Sequence, residues 1–343
     1  MLKIVIIVFL HLSFVICHLS FAASVPTFFG DEVVVTALRV PRLKSTIPWN
    51  TEVITRQEIE ESGAVKLGDV IRLTSGLSVK ANGGMSSQIG ARFRGSNTQQ
   101  VLVLLNGSRI NSPSLGLSDL GDILLTDVEK IEIVKAPLSS VYGADAVGGV
   151  INIITGQPST EIRNELTVEY GEFSTSKFAL RSSGPLAFFS AASIYSTGFR
   201  TNSDYKADDF NLRFTPTLGK THLELGMKKY SAIKGLPGSL DYLTPLARQT
   251  DNNLICDLKY DITQLGLKLS LSSVDLKQRY QNPGSWPAID TTTDTSTSIT
   301  DVQKVLAWDR LNSSLIGLEV RSDKSTGSSS GYNEIDNRAV YLQ

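Results

Sequence analysis

From about residue 160 onward, apolar and polar residues alternate along the chain. Leu166, Val168 and Tyr170 interleave with Glu165, Thr167 and Glu169; Leu223, Leu225 and Met227 interleave with His222, Glu224 and Lys228. The cleanest run is Leu265, Leu267, Leu269 and Leu271, set against Gly266, Lys268, Ser270 and Ser272. A period of two puts one set of side chains on each face of an extended strand. Segments of roughly ten residues, separated by turns and longer polar loops, are the mark of a transmembrane β-barrel. A soluble β-sandwich alternates in the same way, so periodicity alone leaves both open. Behind its first residues the chain has no second long apolar run. Entry into a membrane would therefore be by a closed barrel and not by a helix bundle.

Residues 1–22 carry Lys3, an apolar stretch from Ile4 through Ile16, and then Ser20-Phe21-Ala22. That order fits a signal peptide cleaved after Ala22. His11, Ser13 and His18 interrupt the stretch and no stop-transfer charges follow, which argues against a single-span anchor. Cys17 follows Ile16 rather than a small residue, which argues against lipoprotein processing. Cleavage would leave Cys256 as the only cysteine and His222 as the only histidine. An internal disulfide is then excluded, and a Ser-His-Asp triad or multi-histidine metal site has almost no material. His222 lies in an alternating stretch and reads as structural. The formal net charge of −1 offers no basic footprint for nucleic acid. The leader followed by a separate α/β domain and many alternating segments favours the barrel over the sandwich.

That domain spans about residues 31 to 156. Thr55-Arg56-Gln57-Glu58 is a capping-box pattern, followed by Ile59 and stopped by Gly63. Leu67, Val70, Ile71 and Leu73 recur at helical spacing, with Gly76 as a C-terminal cap. The period then changes, and Ile89, Ala91 and Phe93 alternate with Gly90, Arg92 and Arg94. Val101–Leu105 runs into Asn106-Gly107, a strong hairpin signal. Ile131–Val134 and Val150–Ile154 are further strand candidates. Neither a nucleotide loop nor paired catalytic carboxylates stand out, so the domain reads as a binding body. At its start, Asp31-Glu32-Val33-Val34-Val35-Thr36-Ala37 is a β-branched run able to add as a strand to a partner's sheet edge, or to serve as the domain's own first strand.

Three features in order carry a resemblance: the Val-Val-Val-Thr-Ala box at 33–37, Asn106-Gly107, and the run Pro137-Leu138-Ser139-Ser140-Val141-Tyr142-Gly143-Ala144-Asp145-Ala146-Val147-Gly148-Gly149-Val150-Ile151-Asn152-Ile153. The set is similar to the plug domain of TonB-dependent outer-membrane receptors. Lys135-Ala136-Pro137 stands where that family usually has Arg-Gly-Pro, and Asn106 where Asp is common. Asn82-Gly83-Gly84, Arg94-Gly95-Ser96-Asn97 and the stretch Asp31 to Leu38 resemble the cobalamin-transporting branch.

The resemblance implies a periplasmic segment over 23–40, an α+β plug over 41–156, and antiparallel transmembrane β-barrel strands over 157–343. These strands would be an incomplete portion of a 22-stranded barrel. It implies a receptor in the outer membrane, not an enzyme, that takes up cobalamin or a related corrinoid. Asp31, Glu32, Val33, Val34, Val35, Thr36, Ala37 and Leu38 would form the box that pairs with TonB, which delivers energy from an inner-membrane complex. Carried over by position, substrate contacts fall on Gln88, Gly90, Asn97, Leu115 and Gly116, with backbone geometry the plainer reading of the two glycines. The branch also holds calcium on loop aspartates, for which Asp204, Asp208, Asp209 and Asp241 are the candidates. Arg200 stands near an expected acid, and solvated loop charges are the plainer reading there. No other cofactor is implied.

Length enters last. A plug of about 125 residues has a radius of gyration near 14 Å. Roughly nine or ten strands of about ten residues cannot enclose it. The expectation is a truncated receptor. The alternatives are a ferric-siderophore or haem receptor of the same fold, a non-functional fragment or passive small barrel, and a secreted enzyme on a β-sandwich.

Overall fold

The computed structural model describes residues 33–34, 42–74, 76–81, 84–219, 221–308, 313–328 and 331–342. The leader, with Asp31, Glu32, Val35, Thr36, Ala37, Leu38, Asn82 and Gly83, lies outside the described residues. β1 (Val33–Val34) pairs antiparallel with β2 (Arg42–Leu43). β3 (Thr51–Thr55) leads into α1 (Arg56–Glu61) and α2 (Leu67–Ile71). β4 (Leu77–Ala81) and β5 (Ile89–Phe93) form an antiparallel pair. β6 (Val101–Leu105), β7 (Ser108–Arg109), β8 (Val128–Val134), α3 (Ser139–Tyr142) and β9 (Gly149–Thr155) follow. Five strands make one mixed sheet in the order β3-β8-β9-β6-β7, with β6 and β9 parallel.

Local chemistry explains these elements. Thr55 caps α1: its backbone N–H donates to Glu58 Oε2 at 2.7 Å, and the Glu58 N–H donates to Thr55 Oγ1 at 3.4 Å. The hydrogen bonds from the Thr55 backbone and side chain hold the Glu58 carboxyl below its ordinary range. α2 ends at Ile71, and Leu73, expected on its apolar face, is 76% exposed. Asn106 (φ 51°) and Gly107 (φ 85°) both take the left-handed conformation that a two-residue hairpin turn demands. β6 has no polar residue because both of its faces are covered. Val101, Val103 and Leu105 enter one apolar cluster with Ile131 and Ile151; Leu102 and Leu104 enter another with Val134 and Val150.

The second body is a wall of antiparallel strands in chain order. β10 (Arg163–Gly171), β11 (Thr175–Ser183), β12 (Ala187–Ser196) and β13 (Tyr205–Phe214) are short. β14 (Thr217–Leu218) pairs only with β15 (Thr221–Gly235). β16 (Arg248–Ile262), β17 (Leu267–Asn282), β18 (Ile289–Ala307), β19 (Ser313–Gly327) and β20 (Gly331–Leu342) complete an 11-stranded sheet. The alternation expected to begin at Leu265 begins at Leu267, because Thr263–Leu265 forms a 3-10 turn closed by Gly266 at φ 56°. Turns 184–186 and 263–266 are short, whereas 197–204 and 236–247 at the opposite end are longer. Short turns mark the periplasmic end of such a wall and long loops the outer end.

Strands β15 to β19 run 15 to 19 residues, longer than the expected ten. The outward row gives the reason. On β13 it reads Phe214, Leu212 and Phe210 from the periplasmic end, then Asp208 and Lys206. On β17 it reads Leu267, Leu269 and Leu271, then Ser273, Asp275 and Lys277, while Val274 on the other face is 2% exposed. About 9–11 tilted residues cross a bilayer, so the upper, polar halves of these strands extend beyond it. Among the described residues no helix is long and apolar enough to cross a membrane. The outward Leu225, Met227, Leu271, Ile316 and Leu318 remain exposed, as lipid-facing residues would be and inner-face residues of a sandwich would not.

Candidate functional site: a crevice between plug and wall

The inner face of the wall packs on the first body. Ile255 and Val274 join the apolar cluster that contains Ile131 and Ile133. Leu124 sits among Ile194, Tyr205, Ala207, Tyr230 and Ala232. Beside these contacts runs a charged seam. Lys228 and Lys234 lie six residues apart on β15, so strand alternation points both inward. Lys228 Nζ is 2.6 Å from Asp127 Oδ2 and 2.7 Å from Asp209 Oδ1, and Asn211 Nδ2 donates to Asp127 Oδ2 at 2.8 Å. Lys234 Nζ pairs with Asp251 at 2.8 Å, donates to Asp122 and lies 3.8 Å from Asp119. Asp119 also organises its own turn, accepting from the N–H groups of Ile89 and Gly121 at 2.8 Å. Lys66 lies over the Tyr205 ring, 3.7 Å from its centroid, and donates to the Met85 carbonyl. Burial, together with the like charge of Lys234, pushes the Lys66 ammonium down to about 7.

Against the seam, in the outer half, lies a crevice of about 100 Å³, with Asp122, Lys228 and Asp251 of the seam in its lining. Gln88 and Leu115 line it from the first body; Asn253, Gln278, Thr293 and Thr295 line it from the wall. Of the five carried-over contact residues, the structure brings Gln88 and Leu115 to this crevice and the other three to a patch beside it. Gly116 has φ 70° and rests against Gln99, whose Nε2 donates to the Leu115 carbonyl at 3.0 Å. A Cβ on Gly90 would come within 2.6 Å of Thr98 Cγ2, and the Asn97 N–H donates to Gln100 Oε1 at 3.0 Å. Backbone geometry thus accounts for both glycines. The wall residues Asn253, Gln278 and Thr293 were missed from sequence. Their only signal is a polar residue at inward parity, which many other wall positions share.

At the other end, Val34 is fully buried with Ile47, Val53 and Leu138. Of the proposed docking box, the described part is already paired to β2 of its own chain. A larger cavity of about 460 Å³ separates the Asn106-Gly107 hairpin from the lower wall. His222 and Glu224 line it, and beside it Arg213 pairs with Asp257 at 2.9 Å. The four calcium candidates are dispersed. Asp204 pairs with Arg248 at 2.6 Å, Asp209 with Lys228, Asp208 accepts from Ser193 on the outer face, and Asp241 is exposed. Adjacent strand positions point to opposite faces, so Asp208 and Asp209 cannot converge. Among the described residues no cluster of three or more His, Cys, Asp or Glu could hold a metal ion.

Residues 44–150 match the family described as TonB-dependent Receptor Plug Domain. The matched segment is a TonB-dependent receptor plug domain, followed in this chain by the antiparallel strands of the wall. An outer-membrane location is in keeping with the outward apolar band. The chain is 33% identical over 193 residues to the vitamin B12 transporter BtuB of Vibrio vulnificus, a match covering 56% of this chain and 30% of that relative. It superposes on the pyoverdine outer membrane receptor FpvA of Pseudomonas aeruginosa with a TM-score of 0.71 at 16% identity, covering 90% of this chain and 55% of that one. For the ferric yersiniabactin uptake receptor FyuA of Yersinia pestis the TM-score is 0.62 at 16% identity, with 86% and 60% covered. At such identities the two structures establish the fold alone. The chain spans under two thirds of each relative's length.

Proposed function

We propose that this chain serves TonB-coupled uptake of cobalamin or a related corrinoid across the outer membrane. The similarity to a vitamin B12 transporter over 193 residues carries the ligand reading. The packing of a plug against the inner face of a lipid-facing strand wall supports the transport reading. Ligand would bind from outside at the plug's outward loops, over Gln88, Gly90, Asn97, Leu115 and Gly116. TonB would engage the box from Asp31 to Leu38 by strand addition and draw the plug aside. Because Val34 is buried against the plug, the box has to leave that site before a partner can pair with it. Binding to outer-membrane vesicles carrying the protein tests the ligand. Saturable binding of cyanocobalamin, unaffected by excess ferric chelate or haem, is expected. Binding of a ferric siderophore or haem in its place would transfer the chain to the other branch.

A further inference from the structure

The chemistry around the crevice selects among ligand groups. The ammonium groups of the seam are already engaged, Lys228 in the crevice lining by Asp127 and Asp209, and Lys234 nearby by Asp119, Asp122 and Asp251. Carboxylates outnumber ammonium groups here, even with Lys66 counted. Asp127 Oδ1 and Asp209 Oδ2 are buried with no hydrogen-bond donor. An anion entering this crevice would meet a field of its own sign, in a setting where water screens it poorly.

Lys277 also borders the crevice, but from the row of β17 whose side chains point outward; the other groups that remain available are uncharged. Gln88, Asn253 and Thr293 face the crevice with no side-chain hydrogen bond among the described residues. Gln278 engages only its Nε2, which donates to Asp251 Oδ1 at 3.2 Å, so its Oε1 is still an acceptor. Amide side chains both donate and accept, as a primary carboxamide does. Size sets a second limit. The cavity of about 100 Å³ exceeds the share of one water, about 30 Å³, and falls below the roughly 300 Å³ where pockets for whole ligands begin. It has room for a short side arm and not for a macrocycle.

We propose that the crevice is a subsite for an uncharged carboxamide arm of the ligand, read by Gln88, Asn253 and Gln278 and closed to carboxylate-bearing arms. This rests on the corrinoid reading above, since corrinoids carry carboxamides around the ring, and it names the group that is recognised. The test uses outer-membrane vesicles carrying the protein at pH 7. The probes are cyanocobalamin and its separate monocarboxylic acids, each with one peripheral amide hydrolysed. At least one acid is expected to bind about tenfold more weakly than cyanocobalamin, the size of one lost hydrogen bond to a charged or buried partner. Asn253→Asp should widen that ratio and Asn253→Lys should narrow or invert it. Asn252→Asp, on the outer face, should leave it unchanged. Binding of every acid to within twofold of cyanocobalamin overturns the subsite and leaves the corrinoid reading standing. Absence of cyanocobalamin binding overturns both.

Discussion

Replacing Lys228 with Met should loosen the plug from the wall. The Lys228 ammonium is shared by Asp127 and Asp209 at 2.6 and 2.7 Å, and Asp127 is fully buried. Met keeps most of the side chain's apolar volume, so the change is chiefly electrostatic. It leaves two carboxylates inside with only Asn211 as a donor to one of them. Removing one partner of a buried pair costs about 3–5 kcal/mol. Asn in place of Asp209 in the same protein removes one stranded charge, and should restore at least about 1 kcal/mol of the loss. Trp49 packs against the plug's second apolar cluster, whereas Trp286 and Trp308 are 99% and 70% exposed. Guanidinium unfolding in detergent, followed by Trp49 emission, therefore reports the plug. A Lys228→Met midpoint within about 0.5 kcal/mol of the wild type, the range of an ordinary surface change, would refute the claim that this lysine holds the plug.

Other outcomes follow from single residues. Gly116→Ala forces a Cβ into φ 70° and toward Gln99 Cγ at 3.3 Å; a loss of about 1–2 kcal/mol in the same titration is expected, and none would mean the loop simply relaxes. Glu58 has its carboxyl pKa lowered by the Thr55 hydrogen bonds, so its contribution to α1 is present above about pH 4.3 and lost as pH falls through the folded value. Amide protection of residues 57–61 should drop across that acid range by a modest factor, because the group is exposed, and Glu58→Gln should abolish the pH dependence. Val34→Pro removes a strand donor and should eliminate uptake while leaving surface binding of cyanocobalamin intact; uptake that persists would show that the box is not the coupling strand.

Much of the plug was legible in the sequence because its signals are local. Thr55 and Glu58 cap α1 as their spacing suggests, and Asn106-Gly107 makes the hairpin. Alternation announced the wall, since one face meets lipid and the other the plug. The limits of local reading show at Leu73, whose helical spacing continues past the end of α2 into an exposed turn. Strand length was underestimated because alternation persists above the membrane in a polar key, as in Ser273, Asp275 and Lys277. The seam and crevice depend on which residue of β15, β16 or β17 stands opposite Asp122, Asp127 or Gln88. That register comes from pairings across a hundred residues, such as Asp127 with Lys228, and no short-range pattern encodes it. Asp208 and Asp209, adjacent in the sequence, stand apart because neighbouring strand positions face opposite ways.

The most direct measurement is accumulation of labelled cyanocobalamin by cells in which this protein is the sole outer-membrane route for it, with TonB present and with TonB absent. Equal surface binding in both, with accumulation only when TonB is present, is the expected result. Equal accumulation without TonB would contradict a coupled receptor and point to a passive barrel.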